Sequence, residues 1–301
     1  MKKAIITGAL AIASILGAGT ALAQNVLPVP HKTYKVTTPD GLTISAQEWG
    51  NPAGREVVFI HGYSQSHLSW HKQVTDPELV KSLRMITYDL RGHGNSDKPL
   101  DPGRYKDSKL WANELKAVLD ALAMKRPVLV GWSYGGRIIS DYLVAEGPNR
   151  IAAINYVAAA TKAEPSFYGD GVKTLGGMSS PDLATNIAAT RAFLRACFEK
   201  QPEQADFETM VGFNMVMPYQ VRMALNGRPL DVDAMMRGLK LPVLVTHGAS
   251  DRIWRPLISQ HTASQIPGAK LSIYEGIGHS PFWEDPRRFN NELLAFVTGM
   301  P

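Results

Sequence analysis

The 301-residue chain carries one cysteine, Cys197. It has no internal repeat, no block of like charges and, after its first two dozen residues, no apolar run long enough to span a bilayer. Each shortage excludes something. A lone thiol cannot close an internal disulfide, so the fold must rest on its apolar core. Cys197 is also a poor candidate nucleophile, because it sits in the apolar helical pattern RAFLRACF with no histidine or helix start beside it. The formal net charge is +5, yet the basic residues are spread out, with no arginine-rich run and no basic stripe interleaved with aromatics. Nucleic acid is therefore not expected as a partner.

The one long apolar run opens the chain. MKKAIITGALAIASILGAGTALAQ sets two lysines before apolar and small residues and closes on Ala21-Leu22-Ala23 ahead of Gln24. This is the three-part layout of a secretory signal peptide spanning residues 1–23, with cleavage expected after Ala23. The mature protein is then expected to be exported, periplasmic or secreted, with no stable membrane insertion.

Beyond Gln24, short apolar runs bounded by turn residues recur. TYKVTT and LTISAQEW read as a hairpin joined at Asp40-Gly41. EVVFIHG, RMITYD, RPVLVGW, IAAINYVAA, LPVLVTHG and KLSIYEG follow, separated by helical patterns such as KLWANELKAVLDALAM, GGRIISDYLVAEG and PRRFNNELLAFVTG. Strands apolar on both faces and alternating with helices predict an α/β fold with a parallel sheet covered on both sides. The alternation stops between residues 161 and 240, where proline-initiated, methionine-rich helical patterns replace strands. These residues are expected to form a helical cap inserted after the sixth strand, with 24–160 and 241–301 forming the core.

Within GWSYGG, Ser133 lies between an apolar strand and a helix, fenced by Gly131, Gly135 and Gly136. A serine hydroxyl is a poor nucleophile at neutral pH and needs a base and oxyanion donors. A strand that turns sharply into a helix exposes the serine and crowds the positions two before and two after it, which here are glycines. The Tyr134 N–H at the helix start would then face the reacting oxygen. Two partners follow in chain order: Asp251 after the strand LPVLVTHG, and His279 after KLSIYEG. Serine, acid, histidine, each just past a strand end, is a known triad order. The loop after VVFIHG would supply the second oxyanion donor, the N–H of Tyr63.

With HGY at 61, YDLRGHGNSDKP at 88, GWSYGG at 131, HGASD at 247 and GHSPFWEDP at 278, the chain resembles the α/β-hydrolase family over about residues 40–300. Within it, the chain is most similar to small-cap esterases and cofactor-free haloperoxidase or perhydrolase types. The resemblance implies an eight-stranded, mostly parallel sheet with flanking helices and a helical cap. Ser133 sits where haloalkane dehalogenases and epoxide hydrolases carry aspartate. Asp89, Arg91 and His93 then read as a structural loop. His67 and His71, four apart, lack the glutamate of a zinc-protease motif, so no metal is expected, and no organic cofactor either. The cap methionines Met210, Met215, Met217, Met223, Met235 and Met236 either fill the core or line an adaptable apolar pocket. Met215, Met217, Trp132 and Trp283 are the candidate pocket residues. The expected activity is cleavage of a small apolar carboxylic ester or related acyl compound through an acyl-enzyme. The alternatives are a carbon–carbon bond hydrolase, a lactonase or perhydrolase of the same fold, or a non-catalytic small-ligand receptor.

Overall fold

A computed structural model describes residues 31–299. The predicted signal peptide lies outside the described residues. The first two strands, β1 (His31–Thr37) and β2 (Thr43–Gly50), form the antiparallel hairpin expected from the sequence, with Thr37 opposite Thr43. The turn is closed by Thr38, whose hydroxyl donates to Asp40 and accepts from the Leu42 N–H. Gly41 takes a positive φ of 83° there, in the left-handed region open to glycine.

Six further strands complete one sheet: β3 (Arg55–Ile60), β4 (Leu83–Tyr88), β5 (Val128–Trp132), β6 (Ala153–Val157), β7 (Val243–Gly248) and β8 (Lys270–Tyr274). Their spatial order is β1-β2-β4-β3-β5-β6-β7-β8, and all pairs beyond β4 are parallel. The chain steps from β3 to β4 on one side of β3, then returns to build β5 on its other side. The order therefore switches beside β3, and ligands of open α/β sheets bind above such a switch at the strands' C-terminal ends.

The sheet divides the core in two. On one face the helices Ser108–Ala121 and Tyr134–Glu146 bury Trp111, Leu115, Ile138 and Tyr142. On the other, Trp70, Val74 and the C-terminal helix Pro286–Thr298 pack against Val57, Phe59 and Val130. That helix has Pro286 in its first turn, an Asp285 side chain capping the Arg288 N–H, and Phe289, Leu293 and Val297 four apart on its buried side. Each such burial is worth about 2 kcal/mol. Strand β5 shows the two-residue period: Leu129 faces the first cluster, whereas Val128, Val130 and Trp132 face the second.

Between β6 and β7 the chain forms helices that lie over the sheet's C-terminal edge, the main ones being Leu183–Ala196, Gln204–Met215 and Tyr219–Leu225. They are joined through Arg222, which is wholly buried. Its guanidinium donates to the Met178 and Asn214 carbonyls, Asn186 Oδ1 and Thr190 Oγ1. Its acceptors are neutral and come from three helices, Leu175–Met178, Leu183–Ala196 and Gln204–Met215.

Candidate active site

Strand β5 ends at Trp132 and the helix begins at Tyr134, leaving Ser133 alone at the corner with φ 53° and ψ −113°. A non-glycine residue there is strained by about 1–3 kcal/mol and persists only where its surroundings fix it. The fixing groups are explicit. The Ser133 N–H donates to the Val157 carbonyl, and its own carbonyl accepts from Gly136 and Ala160. The flanking glycines are steric requirements. A Cβ at Gly135 would stand 2.2 Å from the Ile60 carbonyl oxygen, and one at Gly131 would stand 2.8 Å from the Gly135 backbone.

Asp251 follows β7 and His279 follows β8, and the fold brings them together. His279 Nδ1 lies 2.7 Å from Asp251 Oδ2, with both side chains buried. The other Asp251 oxygen accepts the N–H groups of Ile253 and Trp254. Burial alone would raise the Asp251 carboxyl, but His279 and His247 hold it well below the usual carboxylate range. An ionised acceptor on Nδ1 fixes the tautomer that leaves His279 Nε2 free to take a proton. The neighbour of the serine ties the two halves together, since Trp132 Nε1 donates to the His279 carbonyl at 2.9 Å. Among the described residues Ser133 Oγ makes no hydrogen bond. Nucleophile–base contacts are often long until substrate is bound.

Two supporting groups escaped the sequence reading. His247, the last histidine of β7, places Nε2 3.0 Å from Asp251 Oδ2 and 2.9 Å from the Trp254 carbonyl, while Nδ1 meets Ser259. Two acceptors on Nε2 require it to carry the proton, so His247 is a second donor to the acid. Glu284 accepts the N–H groups of Gly278 and Ser280 on either side of His279, and those of Glu199 and Lys200 from the cap. The histidine position four before the acid was a visible signal for His247. Nothing in the sequence marked Glu284.

The loop after β3 lies against Ser133. A Cβ on Gly62 would sit 3.3 Å from Ser133 Cβ. Among the described residues neither the Tyr63 nor the Tyr134 N–H is hydrogen-bonded, so both are free to meet a ligand oxygen. Two buried histidines shape this loop. His61 Nε2 accepts from Leu90 and Nδ1 donates to the Gly62 carbonyl. His93 Nε2 accepts from Ser64 and Nδ1 donates to the Arg91 carbonyl. Burial pushes the two rings down to about 4 and about 3, so both stay neutral. Asp89 receives His67 and the Asn95 N–H, and Arg91 pairs with buried Glu114 and with Asp40. This segment is scaffold. His67 is committed to Asp89, and no group of three or more His, Cys, Asp or Glu is placed to hold a metal among the described residues.

A cavity of about 550 Å³ opens over Ser133. Its walls are Tyr63, Tyr134 and cap residues including Val172, Leu175, Phe193 and Leu230, with Ile253 and Trp254 from the acid loop. The expectation that Trp132, Met215, Met217 and Trp283 line the site is corrected here. Trp132 alternates with Gly131 onto the other face of the sheet, and with Trp283 it bounds only a small void of about 10 Å³. Met217 is core beneath the cap, and Met215 packs against the second cluster. Cys197 is buried, its thiol pushed up by burial, and its carbonyl accepts the His279 N–H. Though distant in sequence, it adjoins the histidine loop.

The profile of the alpha/beta hydrolase family matches residues 57–292. A Burkholderia cenocepacia protein assigned as an aryl esterase is 36% identical, with a TM-score of 0.85 over 89% of this chain and 98% of that one. The esterase RhEst1 of a Rhodococcus species is 34% identical, with a TM-score of 0.84 over 89% and 99%. A non-heme chloroperoxidase of Streptomyces lividans is 27% identical over 87% of this chain and 98% of its own. The sheet order, the strained corner at Ser133 and these matches agree, and the chain belongs to the alpha/beta hydrolase family.

Proposed function

We propose that this hydrolase cleaves carboxylic esters through a covalent acyl-enzyme on Ser133. The observation that carries the reading is the strained Ser133 corner, which opens onto the cap cavity beside the buried His279–Asp251 pair. Ser133 Oγ attacks the ester carbonyl carbon as its proton passes to His279 Nε2. The Tyr63 and Tyr134 N–H groups receive the oxyanion. Collapse expels the alcohol, which takes the proton from His279. Water then gives a proton to His279 and attacks the acyl-enzyme, and the acid leaves with Ser133 restored. Asp251 keeps the ring oriented and stabilises the imidazolium. The names of the two most similar structures cited above, both esterases, support the substrate class. The haloperoxidase relative and an Acinetobacter calcoaceticus esterase/perhydrolase, 26% identical, favour a second reading. In it, hydrogen peroxide replaces water at the second step and a peracid leaves. The test is Ser133→Ala and His279→Ala on soluble aryl esters. Each is expected to lose about 10⁴- to 10⁶-fold in kcat, because triad members act as a unit. Activity within tenfold of wild type in Ser133→Ala would refute the mechanism.

We also propose that the chain is exported and cleaved after Ala23. The two lysines, the apolar run and the Ala-Leu-Ala site support this. An N-terminus at Gln24 in the mature protein is the expected result, and an intact Met1 there would overturn it.

A further inference from the structure

The cavity holds a cation with no carboxylate bonded to it among the described residues. Arg137 lies in the first turn of the helix that starts just after Ser133, and both residues line the cavity. Its side chain lines the cavity and is 7% exposed. A guanidinium has five donors. Here Nη2 donates to the Pro229 carbonyl at 2.5 Å, whereas Nε is buried with no partner and Nη1 makes no hydrogen bond among the described residues. The one carboxylate nearby is already taken. Asp141 pairs with Arg228 at 2.6 Å, and Arg228 also donates to the Tyr134 hydroxyl and Ser108. Two buried guanidiniums thus share one acid, leaving an excess positive charge beside the nucleophile. Burial disfavours that charge and pushes Arg137 below the usual guanidinium range. A buried charge without its counter-ion is costly, and one carbonyl offsets only part of that cost. The remaining wall sets apolar Val172, Leu175, Leu230 and Trp254 beside polar Asn226, Tyr168 and the acid-paired Arg228.

We infer that the substrate is an ester that itself carries a carboxylate, which docks on the free donors of Arg137 while its ester carbonyl lies at Ser133. The inference rests on Ser133 being the nucleophile. It narrows the substrate class from apolar esters to half-esters of dicarboxylic acids or esters of hydroxy- or phenol-carboxylic acids. Nη1 and the second N–H of Nη2 form a planar fork that matches a carboxylate.

The experiment compares charged esters with neutral ones of the same length. Phenyl hydrogen glutarate is set against phenyl pentanoate for a carboxylate on the acyl side. Para-carboxyphenyl butyrate is set against phenyl butyrate for one on the alcohol side. In one of the two pairs, kcat/KM is expected to favour the charged ester by about 10- to 100-fold, the range for a hydrogen bond to a charged group. That arm assigns the carboxylate to its half of the substrate. Arg137→Gln is expected to abolish the preference, and Arg137→Lys, which keeps the charge without the fork, to retain part of it. A melting curve shows which variants fold, and if Arg137→Gln does not, the Lys variant and the wild-type ratios decide. Equal constants within both pairs overturn the inference and leave ester hydrolysis standing. If no ester is turned over, the hydrolytic reading fails and calorimetry with monoethyl glutarate and ethyl pentanoate decides. Tighter binding of the half-ester, lost in Arg137→Gln, supports the inference, and equal binding overturns it.

Discussion

Glu284 offers a sharp test of how His279, the proposed base, is held. Its carboxylate accepts four backbone N–H groups from two segments that are far apart in sequence: Gly278 and Ser280 around His279, and Glu199 and Lys200 at the end of a cap helix. The segments are already in close contact, since a Cβ on Gly278 would stand 2.7 Å from the Glu199 nitrogen. Glu284→Gln keeps the shape but replaces one acceptor oxygen with an amide that is itself a donor, so at least one pair of N–H groups faces a donor instead. A hydrogen bond to a charged group is worth about 1.5–3 kcal/mol when buried, and part of this cluster is near solvent, so the expected loss is about 2–4 kcal/mol. For a chain of this size that lowers Tm by roughly 5–10 °C. The histidine loop should also relax. A displacement of about 1 Å in a catalytic group costs on the order of 100-fold, so kcat should fall by about 10- to 100-fold at temperatures where the variant is fully folded. Thermal melts and aryl-ester kinetics on the same samples check both numbers. A variant that melts within about 1 °C of wild type and keeps kcat within twofold would refute the clamp.

Other expectations follow from the same geometry. The Asp89 carboxyl is pushed up by burial, but its bonds from His67 and Asn95 win and hold it at about 2, against an ordinary 3.8. A depressed folded value means that its contribution, about 2 kcal/mol, is complete above the unfolded value and is lost as pH falls from about 4 to below 2. The difference in denaturant midpoint between wild type and Asp89→Asn should therefore shrink across that window, and a constant difference down to pH 2 would contradict the assignment. Because Val172 lines the cavity and Met215 does not, Val172→Trp should move the chain-length optimum on aryl esters to shorter acyl groups while Met215→Trp leaves it in place. The opposite pattern would show that the substrate lies elsewhere. On wild type, each methylene should raise kcat/KM by up to about fourfold until the cap wall is met, at about 0.8 kcal/mol per buried methylene.

What the sequence made legible is what local chemistry spells out in one stretch. The strands announced themselves by apolar runs between turns. The Asp40-Gly41 hairpin, the helices after β4 and β5 and the helix at the C-terminus were all readable from period and punctuation. Gly131, Gly135 and Gly136 were legible as a fence around one serine, and each removes a collision, Gly131 with the helix that follows and the other two with neighbouring strand ends. Trp132 was misplaced through neglect of a simple rule. In a strand, adjacent side chains point to opposite faces, so the residue before an exposed corner need not share its pocket. Glu284, Arg222 and Arg228 carried no such signal. Each has partners far off in sequence, Lys200 84 residues from Glu284, Thr190 32 from Arg222 and Asp141 87 from Arg228, and only the folded chain brings these together.

This contrast separates the origins of reactivity and selectivity in the molecule. The proposed reacting groups hang from the ends of β3, β5, β7 and β8, and the rigid, doubly covered sheet fixes their spacing. Residues within a few positions of each strand end therefore suffice to encode them. The cavity has a different source. Most of its wall comes from the stretch between β6 and β7, whose helices are joined to one another by Arg222 and anchored to the histidine loop by Glu284. Substitutions in that stretch can change the volume over Ser133 without disturbing the strand ends. Arg137 belongs to neither group. It sits on the sheet-side helix that also carries the nucleophile, yet its one bonded partner, the Pro229 carbonyl, is in the cap. A cation at that junction registers the substrate against the serine from the rigid side, while the cap decides how much apolar chain can accompany it. The position of the charge should thus persist through cap changes such as Val172→Trp. The ratio of charged to neutral ester turnover should stay the same in that variant even as the length optimum shifts, and a collapse of the ratio along with the optimum would show that charge recognition depends on the cap.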